Sequence, residues 1–160
     1  MKFEWMKRLM KWISGMITWS HKQKEVFNQM SYLTVSSSSV SSILKDKGIT
    51  NFQITDQNYK LISKKDMIEF MEYNFAGLRK YVPEVYDCDN FSAVLYGQMS
   101  YVLSGFAVGI VHVKTKTGAH ALNCFIDFFH NFYYIEPQTG KVFSFASGTR
   151  KGYKPYFALI

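Results

Sequence analysis

The chain has 160 residues, 48 % hydrophobic and 18 % aromatic, with a formal net charge of +7. That length and apolar content support one domain with a real core and exclude a disordered tail. The charge favours anionic surfaces, but it is spread in short clusters without a recognition motif, so specific nucleic-acid binding is not expected.

Residues 2–19, KFEWMKRLMKWISGMITW, predict an amphipathic helix. Trp5, Leu9, Trp12, Ile13, Met16 and Trp19 fall on one side, and Lys7, Arg8 and Lys11 on the other. Residues 1–33 therefore read as an arm that docks on its own domain, on a partner such as a virion component, or on an anionic membrane surface. Its apolar residues are interrupted by charge, and no apolar run reaches the length of a bilayer span. Neither a secretory signal nor a transmembrane helix is expected, and the chain reads as cytoplasmic or virion-associated. The serine run TVSSSSVSS, residues 34–42, predicts a linker, followed by a short helix up to residue 48.

The domain proper is expected over residues 49–160. GITNFQITDQNYKLIS reads as one or two strands with a turn. SKKDMIEFMEYNFAGLRKYV reads as a helix capped by Ser63 and Asp66, with Met67, Phe70, Met71 and Phe75 on its apolar face, ended by Pro83. YDCDNFSAVLYGQMSYVLSG gives a second helix, with Phe91, Val94, Leu95, Met99 and Val102 as its stripe and Gly105 as its stop. Five extended runs follow, FAVGIVHVKT, AHALNCFID, FYYIEPQ, KVFSFA and YKPYFALI, separated by short turns. Helices first and then an antiparallel meander make an α+β layout.

Cys88 sits at the predicted N-terminus of the second helix, where unpaired amides favour a thiolate, between Asp87 and Asp89, whose charges oppose one. A hairpin through FHNF brings His120, at the start of one strand, next to Glu136, at the end of the following one. Cysteine, histidine and acid in that arrangement form a nucleophile, base and orienting group. The motifs YDCDNF, AHALNCFID and YYIEPQTG resemble the papain-like and transglutaminase-like cysteine hydrolases. They look most like the C-terminal papain-like domain of the Marasmius agglutinin and related small phage and bacterial proteins, over roughly residues 50 to 140.

The resemblance implies a papain-like α+β fold, with a central cysteine-bearing helix on an antiparallel sheet. It also implies a Cys88–His120–Glu136 peptidase or amidase acting on a protein or peptide, with calcium at Asp87 or Asp89. The amide of Cys88, with Gln53, Gln57 or Asn58, would supply the oxyanion donors. Other readings stay open beside it. Asp87 also suits a helix N-cap. Cys88, His120 and Cys124 approach a zinc set that lacks a fourth ligand, and with two cysteines there is no disulfide scaffold. His112 and His130 read as structural. The alternatives to a hydrolase are a non-catalytic structural or binding module assembled through the arm, and a membrane-surface-active protein.

Overall fold

The computed structural model describes residues 31–160; the predicted amphipathic helix at 2–19, with its tryptophans, lies outside them. Eight strands and four α-helices follow in the order β1 (Tyr32–Ser36), α1 (Ser37–Asp46), β2 (Phe52–Gln53), β3 (Asn58–Ile62), α2 (Lys64–Met71), α3 (Cys88–Val102), β4 (Val108–Lys114), β5 (Ala119–Ile126), β6 (Phe132–Glu136), β7 (Lys141–Ser144), α4 (Phe145–Arg150) and β8 (Lys154–Leu159). A 3-10 turn, Ala76–Leu78, lies between α2 and α3.

The serine run is not a linker. Ser36 is the N-cap of α1, its hydroxyl accepting from Ser39 N at 3.3 Å. Val40, Ile43 and Leu44, at helical spacing, are buried. Serine ranks low as a helix former but high as a cap, and the buried stripe decides the outcome. Helix α2 begins as its cap predicts, with Ser63 Oγ accepting from Asp66 N at 3.0 Å. It stops at Met71, well before Pro83, because Asn74 turns the chain: its side chain accepts from Ala76 N at 2.8 Å and donates to Pro137 O at 2.8 Å. Phe75 therefore lies beyond the helix and is exposed.

Strands β4 to β7 form the expected meander. The full sheet has the order β2-β8-β4-β5-β6-β7 and is mixed: β8 returns to pair antiparallel with β4, while β2 joins β8 in parallel. A separate two-stranded antiparallel sheet, β1 with β3, is tied on through the backbone of Lys60, which donates to Gly105 O at 2.7 Å and accepts from Ala107 N at 2.8 Å. One face of the sheet packs against α1 and β3, through Val111, Leu122, Cys124, Tyr134 and Ala158 meeting Val40, Leu44, Tyr59 and Leu61. Helix α3 covers the other face over β4 and β5. The papain-like architecture expected from the motifs is thereby corrected. The organising element is a six-stranded mixed sheet covered on both faces, not a central helix laid on an antiparallel sheet.

Gly109 lets β8 come close to β4. A Cβ there would run into the Leu159 carbonyl and the Ile160 side chain. Gly109→Ala is expected to lower stability by about 1–3 kcal/mol through overpacking, read from the midpoint of urea unfolding.

Candidate functional site

Asp87 is the N-cap of α3, and its amide donates to Asn90 Oδ1 at 3.0 Å, closing a capping box. Asn90 thus serves the first turn of the helix. Cys88 is the first residue of α3 and is half-buried, whereas Cys124 is buried in the sheet. Burial pushes the Cys124 thiol far above its ordinary value, so it is no nucleophile.

Mutual interaction of the neighbouring Asp87 and Asp89 carboxyls raises Asp87 and lowers Asp89. The positive field of His112 also lowers Asp89. Tyr81 lies beside this pair. Desolvation, and then the negative charge of Asp87, Cys88, Glu84 and Asp89, pushes its hydroxyl up and keeps it protonated. His112, on β4, lies against Tyr156 at 6.1 Å and Phe157 at 5.8 Å. The sequence reading took His112 as structural and missed its approach to Asp89. Counting by twos from the buried Val111 and Val113 would have placed it on the other face of the strand, toward α3.

His120 and Glu136 do meet. Nε2 lies 3.0 Å from Oε2, and both side chains are about a quarter exposed. Tyr153 stands edge-on to the imidazole at 6.2 Å. In register, His120 opposes Val113 and Cys124 opposes Tyr134. His120, Leu122, Cys124, Tyr134 and Glu136 therefore point to the α1 face of the sheet. The intervening residues point to α3, as the bond from Asn123 Nδ2 to Ser92 O at 3.0 Å shows. The pleat thus sets the imidazole and its acid on the face opposite Asn123. Among the described residues no hydrogen bond joins the Cys88 sulfur to either.

The candidate oxyanion donors lie on β2, β3 and the turn between them. Gln53 pairs beside Leu159, Asn58 lies opposite Ser36, and the Gln57 carbonyl accepts from Ser37 N. These residues flank the segment whose Lys60 bonds to Gly105, beyond the C-terminus of α3, roughly 20 Å along the helix from Cys88. No group of three or more metal-ligating side chains gathers among the described residues. Cys88, His120 and Cys124 do not form such a group. Asp87 and Asp89 supply two carboxylates where calcium takes six to eight oxygens.

The described fold is shared with solved lectin structures. One match is a PSL1a–E64 complex, with a TM-score of 0.67 and 24 % identity over 80 % of this chain and 51 % of that one. Another is the Polyporus squamosus lectin bound to the human-type influenza-binding epitope Neu5Aca2-6Galb1-4GlcNAc, with a TM-score of 0.65 and 24 % identity over 80 % of this chain and 50 % of that one. The chain spans about half the length of the structures it matches, and at this identity the likeness shows the fold alone. No family profile matches the sequence, and no curated protein does. The reading as a papain-like cysteine hydrolase, with its thiol-protease activity, is corrected: the solved neighbours are lectin structures.

Iodoacetamide is expected to alkylate Cys88 in the native protein and Cys124 only after unfolding, with peptide mass mapping as the readout. A double-mutant cycle on His120→Ala and Glu136→Ala should give a coupling of about 0.5–1 kcal/mol in thermal unfolding, as for a partly exposed pair.

Proposed function

We propose that the domain is a carbohydrate-binding module that holds its ligand at the N-terminal end of α3. The observation that carries this reading is a rigid, half-exposed aromatic ring set beside paired carboxylates. Tyr81 is 46 % exposed, and its ring lies parallel to that of buried Phe91, at 5° and 6.4 Å. Tyr86 packs edge-on against the same phenylalanine at 4.7 Å, with the Arg79 guanidinium 4.2 Å over its own ring. A ring held this way offers a face to the C–H side of a sugar at little entropic cost. Asp89 accepts from sugar hydroxyls, and the protonated Tyr81 hydroxyl donates. The fold shared with a lectin over 80 % of this chain supports the same class of ligand. Calcium is retained as a proposed accessory to the Asp87–Asp89 pair, which would then need oxygens from the sugar or from water. The basic, tryptophan-rich segment 2–19 is proposed to make a separate contact, with an anionic membrane surface or an assembly partner. Among the described residues no helix is long and apolar enough to cross a membrane.

The test is a glycan array with the full chain, followed by calorimetry on the best ligand with and without calcium. Saturable binding is expected, and Tyr81→Ala should weaken it on the order of tenfold with an unchanged unfolding temperature. No saccharide bound under either condition would sink the reading. So would E64, the compound held by PSL1a, forming an adduct on Cys88 that His120→Ala abolishes, because the thiol would then be acting with the imidazole.

A further inference from the structure

At the end of the sheet away from His120, the β5–β6 turn and the outer face of α1 enclose a cleft of about 300 Å³. Ser39, Ser42, Ile43, Asp46, Lys47 and His130 line it. We propose that this cleft is a second saccharide subsite, taking one uncharged sugar ring; the proposal deepens the carbohydrate reading and rests on it.

Three observations converge. The first is the chemistry of the lining. Two hydroxyls, a carboxylate, an ammonium and an imidazole surround one buried apolar floor residue, Ile43. Asp46 and Lys47 cancel in charge, which disfavours a charged ligand, and adjacent donor and acceptor groups suit the vicinal hydroxyls of a pyranose. The second is the aromatic neighbour. Phe129, next to His130 in the turn, is 83 % exposed. A ring that exposed buries little surface in the protein and is left open to solvent.

The third is the construction of the turn. His130 adopts φ 61, a left-handed conformation uncommon for a residue other than glycine. It is held there by Asp127, which is 2 % exposed. The Asp127 carboxylate accepts from Phe129 N at 2.9 Å, Asn131 N at 2.9 Å and Asn131 Nδ2 at 3.2 Å. Its backbone accepts from His130 N at 2.9 Å and donates to Asn131 O at 3.0 Å. Three donors on one buried carboxylate satisfy its charge and fix the turn. The result is that Phe129 and His130 are presented outward from a rigid support, at a conformational cost a plain connection would not need.

The two sites lie on different faces and ends of the sheet, so they can be separated by mutation. The experiment is calorimetry and a ¹H–¹⁵N titration of the full chain with the best neutral glycan from the array. Shifts are expected at residues 39–47 and 128–131, and Phe129→Ala should weaken this binding phase on the order of tenfold. His130→Gly should weaken it similarly while raising the unfolding temperature by about 2–4 °C, because glycine adopts the left-handed backbone freely. A histidine serving only the turn would give the thermal gain with no loss of binding, and that result overturns the proposal. If the array shows binding, but the shifts and the mutational loss fall solely at Tyr81, the second subsite is refuted and the first reading stands. If no saccharide binds, both fall together.

Discussion

Asn123 fixes where everything else lies. Fully buried in β5, its side chain donates to the Ser92 carbonyl of α3 at 3.0 Å and to the Gly109 carbonyl of β4 at 3.2 Å. One amide thus pins the helix to the sheet and adds to the pairing of two strands, from a site where an unpaired donor would be costly. Because the pleat has a period of two, that choice sends Ala121 and Phe125 to α3 with it, and His120, Leu122 and Cys124 to the far face. The odd spacing from His120 to Asn123 places the imidazole on the opposite face from the amide that holds α3.

His120 and Glu136 then make sense as a structural pair. Both lie at the end of the sheet where β5 starts and β6 ends, beside Tyr153, which packs on Tyr134 and Phe143. A partly exposed ion pair of this kind contributes modestly and closes the rim of the core beneath it. On the other face, α3 brings its own cluster of Asp87, Asp89, Tyr81 and His112 together. Sites of different composition on the two faces of one sheet are what a β-centred binding domain can support, and a shared fold does not decide between them.

Much of this arrangement was legible in the sequence. The β4–β7 meander, β8, α2 with its Ser63 cap, and the start of α3 at Cys88 follow from alternation, capping residues and turn signals. The contact of His120 with Glu136 followed from hairpin geometry. What failed has identifiable causes. Serine run and helix coexist in α1 because Val40, Ile43 and Leu44 supply burial that no propensity scale sees. The stop of α2 depended on Asn74 reaching Pro137, a contact across 63 residues. Motif order along the chain also carries no parity, so it could not tell that His120 and Asn123, three apart on one strand, point to opposite faces of the sheet.

The two candidate surfaces share one construction. At Tyr81 an exposed ring rests on a buried aromatic, Phe91; at Phe129 and His130 an exposed pair rests on a buried carboxylate, Asp127. In each case the outward groups gain little from folding themselves, since their contact area with the protein is small. The ordering is maintained instead by buried partners whose own bonds are satisfied. Exposed aromatics held this way lose less freedom on meeting a ligand than flexible ones would, so more of the contact energy appears as affinity.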